Sequence, residues 1–417
     1  MLINKMERSY YKIIVILVTL ILFTNITTAT LDYDSNDKSI FIRNQSNSFR
    51  ENLFNSYMKL IMRLCYLPSL SSCVIRDDEV IWAKGYGYSD PDIKKESTED
   101  TIYLVMSISK PVAATALMQL IENESYDINL DDDVNEYLPF NLRNPNYPDV
   151  NITFRMLLAH QSSLAPDEKD PMLEYLMKTV CLGDPDISSY PHPWLENYLV
   201  PGGDMYTPYV WLNESPGTNY HYANIGYGLI EYLIELISGQ DFNDYCKENI
   251  FIPLKMMNTS FLYADLNNSD IAVPYTAKQK RVIPILERQP LYSLLWAACA
   301  NLKTTVMDLS HFVIAHKNGG VWKGVRILNE STVELMHSVQ YQNKDSQMYG
   351  LGFMINERFS GERLYGHGGG GPGVHTRMWI SPSDNTSFIY FTTTWTWRLT
   401  LLLPLLQFSL FNKAKNM

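Results

Sequence analysis

The sequence predicts an α+β fold, an antiparallel sheet flanked by helices with a mostly helical subdomain inserted between its strands. Three observations carry this. Residues 70–87 (LSSCVIRDDEVIWAKGYG) read as two strands around a turn at Asp77 and Asp78. The last part of the chain returns to strand patterns in MYGLGFMIN, RLYGH, GVHTRMWISP and TSFIYFTTT, with SPSDN as a hairpin turn. The segment between, from 129 to 290, is mainly helical in pattern (FRMLLAHQ, NIGYGLIEYLIELISG, FNDYCKENIF), interrupted by a Pro-, Tyr- and Trp-rich stretch over 184–220. A sheet lobe over 50–100 and 290–413 thus encloses a helical lobe over 101–289.

Taken in order, Lys5, Arg8 and Lys12 precede the apolar run IIVILVTLILF (13–23), and small polar residues follow to Ala29. This pattern predicts a signal peptide over residues 1–29. An uncleaved signal anchor in the membrane is the alternative, although the run falls short of the roughly 20 apolar residues that span a bilayer. Residues 30–49 are polar and patternless and read as a linker, with order beginning near Arg50. ENLFNSYMKLIMRL then places Leu53, Tyr57, Leu60, Ile61 and Leu64 at helical spacing. After the first hairpin, Pro111 near the start of the Ala- and Leu-rich run IYLVMSISKPVAATALMQLIE marks a helix beginning, so Ser107 stands at a helix N-terminus. LTLLLPLLQFSLF (399–411) reads as a final helix over one face of the sheet.

Composition excludes some functions. A formal charge of -11 with no run of Lys and Arg argues against a nucleic-acid partner and leaves small organic ligands. NxS/T acceptors at Asn44, Asn123, Asn151, Asn213, Asn258, Asn267, Asn329 and Asn385 predict a glycosylated protein that is secreted or held in the secretory lumen. Five cysteines are an odd count for an oxidising compartment. Cys65 and Cys73 are close enough in sequence to bridge a helix end to the next strand. Neither HExxH nor CxxC occurs, so neither metal nor cofactor is expected.

The four-residue pattern SxxK occurs at Ser9, Ser35, Ser56 and Ser107, and only the last begins a helix behind a strand. There Ser107 and Lys110 lie one turn apart on one face, and the helix start offers outward amides and a partial positive charge. By itself the pair reads as a cap and a solvated lysine. A serine becomes a nucleophile only beside a base, and a lysine becomes a base only when burial or nearby positive charge strips its proton. The chain offers further partners in PGTNYHYANIGYG, with Tyr222 and Asn224 before a helix. YGHGGGGPGV adds His367 at a strand end, followed by glycines that let a backbone approach closely.

SISK, then YAN, then HGG ahead of PG, in this order, resemble the serine beta-lactamase-related family of class C beta-lactamases, D-aminopeptidases and beta-lactamase-like esterases. The resemblance covers about residues 50–410 and includes VIWAKGYGYSD, INLDDDVNEYLP, ITFRMLLAHQSSL and YGLGF. It implies a beta-lactamase/transpeptidase-like fold and an acyl-enzyme on Ser107, with Lys110 and Tyr222 as base and acid. Asn224 would hold the Lys110 amine or the substrate amide. His367 would stand where many relatives have lysine, and the Gly370 amide would join the Ser107 amide as oxyanion donor. Gly368, Gly369 and Gly370 replace the hydroxyl residues with which relatives grip a carboxylate, which ranks ester above peptide and peptide above beta-lactam. Ser163 stands where relatives have glycine. Cys299 lies in WAACANLKTT, which replaces a glycine-rich turn. The expectation is a serine hydrolase of small esters or amides; the alternative is a catalytically silent glycoprotein with a binding or scaffolding role. A lipase elbow, GxSxG, does not occur. His160 reads as structural, and Tyr190, Trp194, Tyr206, Tyr209, Trp211 and Tyr220 read either as packing or as pocket walls.

Overall fold

The computed structural model describes residues 39–171, 181–184, 193–278, 283–342, 348–357 and 362–416, with only the backbone of 39–49, 181, 182, 193 and 416. The expected leader, Tyr190 and the Asn44 side chain lie outside what is described.

Helix α1 (Ser39–Cys65) is already formed at Ser39, the first described residue, so order does not begin near Arg50 and the described part of the expected linker is helical. Once the turns over 58–65 pack on the sheet, each preceding residue adds a hydrogen bond without a new nucleus, and polar residues extend the helix. Strands β1 (Ser69–Arg76) and β2 (Glu79–Asp90) form the first hairpin. Its corner is Asp77 at φ 51°, a left-handed conformation that a short polar side chain tolerates. Next come β3 (Lys95–Glu96), α2 (Ser109–Glu122), α3 (Asn224–Ser238), α4 (Ala297–Ala300), α5 (Val306–Lys317) and α6 (Glu330–His337). The chain closes with β4 (Tyr341–Gln342), β5 (Met348–Tyr349), β6 (Met354–Asn356), β7 (Leu364–Gly371), β8 (Val374–Ser381), β9 (Thr386–Thr392) and α7 (Trp397–Asn416).

Nine strands form one antiparallel sheet in the order β4-β5-β6-β7-β8-β9-β1-β2-β3, so the two ends of the chain meet at the β9–β1 pairing. Both faces of its centre are covered, which is why β9 is buried at every position. On one face Leu70, Val74, Trp82, Trp379, Phe388 and Tyr390 pack against Met58, Ile61 and Met62 of α1 and Leu399, Leu406 and Leu410 of α7. On the other, Cys73, Ile75, Met378, Ile380, Ile389 and Phe391 join the core of the helical lobe.

This alternation corrects the expected Cys65–Cys73 bridge. Cys65 belongs to the α1 side of β1, whereas Cys73 points through the other face, where its thiol donates to the Val306 carbonyl. Both are free thiols, as are Cys246 and Cys299. None of the helices among the described residues is long and apolar enough to cross a membrane. Asn123, Asn151, Asn213, Asn258, Asn267, Asn329 and Asn385 are all exposed.

The fold delivers two parts to one place. A 3-10 turn (Met106–Ile108) runs straight into α2, and β7 lies along that turn. Thr376 of β8 donates to the Val105 carbonyl at 2.9 Å, and Leu302 accepts from the Val105 amide at 2.9 Å, so the start of the turn is held on both its backbone groups.

Candidate active site

Ser107 sits in the middle of the 3-10 turn, directly after Met106, whose φ of 52° is a strained left-handed conformation for a long side chain. Ser109 holds this bend by donating to the Met106 carbonyl at 2.7 Å and accepting from the Leu302 amide at 3.0 Å. One turn on, Lys110 is wholly buried. Its Nζ donates to Ser107 Oγ at 3.2 Å, to Asn224 Oδ1 at 2.6 Å and to the Cys299 carbonyl at 3.0 Å, and lies 4.8 Å from the centre of the Tyr222 ring. Three acceptors match the three protons of an ammonium. Burial nevertheless pushes the amine down to about 8, which brings its neutral form closer to neutral pH.

Tyr222 has the opposite tendency. Burial holds its phenol far above the usual value, with the hydrogen bond to Ser107 acting against that rise, so it is a neutral donor and not a phenolate. Asn224 begins α3, and its Nδ2 and backbone N–H both donate to the Asp167 carboxylate, the latter at 3.3 Å.

The third motif divides differently from expectation. His367 is buried, with Nδ1 2.7 Å from the Gly368 carbonyl and Nε2 3.0 Å from the Tyr349 hydroxyl. A carbonyl only accepts, so Nδ1 carries the proton and the Tyr349 O–H donates to Nε2. Burial pushes this imidazole down to about 3 and keeps it neutral. His367 therefore braces the site from behind: both ring nitrogens are committed within the protein, which corrects its expected contact with substrate. At Gly368 a Cβ would stand 2.2 Å from the Arg377 guanidinium, which fills that space. Gly369 is packed, its Cβ position lying 2.0 Å from the Val105 carbonyl oxygen. Only Gly370 is exposed, with no atom within 4 Å of where a Cβ would be.

The surrounding residues resolve the open readings. His160, at φ 57°, accepts from the Ala223 amide at Nδ1 and lies 4.4 Å from the Tyr222 ring, so it props the tyrosine loop. Ser163 has φ 62°, the conformation that favours glycine. Its hydroxyl accepts from Asn144 at 2.9 Å, which ties it into the packing of its loop. Cys299 contributes its carbonyl, not its thiol, which burial pushes up to about 12. Trp211 is core, donating to the Leu199 carbonyl, and Tyr209 is exposed. Trp194 stacks on Tyr198 at 5.5 Å and leans on Trp296 at 5.4 Å, and Tyr220 stacks on Tyr341 at 5.6 Å.

The profile of the family described as Beta-lactamase matches residues 54–404. The chain belongs to the beta-lactamase family. Among characterised relatives it is 23% identical over 332 residues to Protein flp of Staphylococcus aureus (strain N315), covering 78% of this chain and 59% of that one. It is 24% identical over 360 residues to Beta-lactamase-like protein 2 of Dictyostelium discoideum, covering 84% and 59%. The chain thus matches about three-fifths of the length of these relatives. Among solved structures, the octameric penicillin-binding protein homologue from Pyrococcus abyssi superposes with a TM-score of 0.68 at 26% identity, over 84% of this chain and 76% of that one. D-amino acid amidase from Ochrobactrum anthropi SV3 gives 0.66 at 19%, over 85% and 98%. EstCE1, a hydrolase with promiscuous acyltransferase activity, gives 0.64 at 18%, over 86% and 96%. Within this family fold Asp167 and Tyr349 are contributors that the sequence motifs do not mark, and Cys299 takes part through its carbonyl rather than its side chain. YGLGF, which contains Tyr349, carries only the family resemblance, and Asp167 lies in the polar stretch PDEKD, which looks like any solvated turn.

Proposed function

We propose that this protein is a serine hydrolase of small esters or amides that works through an acyl-enzyme on Ser107, with no metal or cofactor. The observation that carries the reading is the Lys110 amine, buried and brought down to about 8, within hydrogen-bond reach of the Ser107 hydroxyl. In the neutral fraction, Lys110 takes the Ser107 proton as Oγ attacks the carbonyl carbon. Tyr222, a neutral phenol bonded to Ser107, hands a proton to the departing alkoxide or amine and is reprotonated from Lys110. Water then attacks the acyl carbon by the reverse path and frees Ser107. The Ser107 and Gly370 amides stabilise the oxyanion, typically a matter of several kcal/mol. The seating of Gly369 on the Val105 carbonyl supports this role, because it holds the β7 edge against the nucleophile's turn.

Esters rank ahead of peptides, and peptides ahead of beta-lactams. No lysine or hydroxyl side chain projects from positions 367–370. A secreted or lumenal setting is part of the proposal, and the exposure of every described acceptor asparagine supports it. The test compares wild type with Ser107→Ala, using a fluorophosphonate probe and a panel of graded acyl esters, D-amino-acid amides and a chromogenic cephalosporin. Labelling and ester hydrolysis that vanish in Ser107→Ala are expected. Folded wild-type protein that neither labels nor hydrolyses would leave the silent binding glycoprotein as the reading, and hydrolysis of the cephalosporin alone would overturn the ranking.

A further inference from the structure

Lys110 and Asn224 make up the charged side of the site, yet an asparagine amide can face an amine with either end. Turned one way, Oδ1 accepts from Nζ; turned the other, two donors confront each other. What decides is on the far side of the amide. Asp167 accepts from Asn224 Nδ2 and, at 3.3 Å, from the Asn224 backbone N–H at the start of α3. A flipped Asn224 would set its oxygen against that carboxylate and its NH2 against the lysine, losing both contacts. We infer that Asp167 is a positioning residue that fixes the Asn224 amide with its oxygen toward Lys110 and supplies the negative charge against which the amine keeps its proton.

The charge part follows from what surrounds the two groups. Lys110 faces Ser107, Tyr222, Asn224 and Cys299, with the Tyr227 ring at 5.3 Å and His160 and His367 nearby. The phenols of Tyr222 and Tyr227 are raised by burial, the Cys299 thiol is pushed up to about 12, and both imidazoles are held neutral by burial. None of these carries charge at neutral pH. Cys299 and Asp167 are the groups that oppose the fall that burial imposes on the amine; the Cys299 thiol stays protonated at neutral pH, which leaves Asp167, the one carboxylate acting on Lys110 among the described residues, as the charge there. Facing Asp167 in turn are Asn224, Lys110 and the exposed Glu168, with Tyr198 close by. Burial raises the Asp167 carboxyl, while the Asn224 bonds and Lys110 favour its ionised form.

The two parts separate by substitution. Asp167→Asn keeps an oxygen for Asn224 Nδ2 and deletes the charge; Asp167→Ala deletes both. In full-length protein carrying 13Cε-lysine, with Lys110→Ala to assign the signal, the Lys110 midpoint is expected to fall by roughly half a unit or more in Asp167→Asn. The acid limb of fluorophosphonate labelling moves down in pH with it. The Asn224 side-chain amide protons stay protected from exchange in Asp167→Asn and lose protection in Asp167→Ala, whose labelling plateau drops at least about tenfold. An unmoved or raised Lys110 midpoint in Asp167→Asn overturns the charge role, and equal Asn224 protection in wild type and Asp167→Ala overturns the orienting role. The inference extends the reading of Lys110 as the base. If wild type fails to label, that reading falls alone, because both resonance measurements still decide the role of Asp167.

Discussion

The three glycines after His367 are chemically alike and should respond differently to the same added methyl. At Gly369 the new carbon would stand 2.0 Å from the Val105 carbonyl oxygen and 2.4 Å from Thr376 Oγ1. Carbon and oxygen rest at roughly 3.3–3.6 Å, so β7 and the nucleophile's turn must part by about 1.3 Å or more. Neither partner is a flexible chain end: Val105 is tied to Leu302 and Thr376, and β7 is paired to β8 from Tyr365 to Gly371. Overpacking of this kind costs about 1–3 kcal/mol of stability. A displacement near 1 Å between nucleophile and oxyanion edge costs on the order of a hundredfold in rate. At Gly368 the obstacle is the Arg377 guanidinium, the mobile end of a long side chain, so Gly368→Ala should lose a few-fold at most. At Gly370 nothing lies within 4 Å, and Gly370→Ala should keep most of the rate because its amide is unchanged. Fluorophosphonate labelling rates with thermal melts of the three variants give the order 370, 368, 369 from mildest to most severe. Gly369→Ala labelling at the wild-type rate, or Gly370→Ala as the most damaging of the three, would refute the placement of β7 against Ser107.

Other expectations concern charge. Acylation should rise roughly tenfold from pH 7 to 9.5 with a midpoint near 8, because the active form of Lys110 is the neutral amine and the protonated form gains as pH falls; a rate flat over that range contradicts the assignment. His316 and His337 lie buried 5.4 Å apart, the first pushed down by burial to about 3 and the second well below its usual value. Their folded-state values lie below the unfolded 6.5, so the stability they allow is intact above that pH and is lost as pH falls toward 3. Urea midpoints should therefore drop less between pH 7 and 4.5 in His337→Phe than in wild type. Lys303, fully buried and brought down to about 7, donates to the Phe261 carbonyl at 2.7 Å and lies 3.7 Å from Asp184. Asp184→Asn should lose about 1–3 kcal/mol in denaturant unfolding, since it removes the larger of the two counter-charges acting on that amine, Asp184 and Asp265.

Much of this architecture could be read from local patterns. The hairpin at Asp77 and the start of α2 at the SISKP stretch declare themselves within a few residues, and each governed one correct element of the fold. The family motifs then brought Ser107, Lys110, Tyr222 and Asn224 to one point although 115 positions separate Ser107 from Tyr222. What escaped depended on which face a residue takes. Cys65 and Cys73 are neighbours in sequence, but helix and strand send them to opposite sides of β1. His367 reads as a substrate contact within HGGGG, whereas its ring is bonded to Tyr349, eighteen residues earlier. Asp167 gains its meaning from Asn224, 57 residues later, and no periodicity within PDEKD announces that meeting.

The most direct measurement is intact-protein and peptide mass spectrometry after brief exposure to a slowly deacylating activated ester, in wild type and Lys110→Met. The account predicts a single acyl adduct on the peptide bearing Ser107 in wild type, and its near-complete absence in Lys110→Met despite a wild-type melting curve. An adduct on another residue, or equal acylation of Ser107 without the lysine, would contradict it.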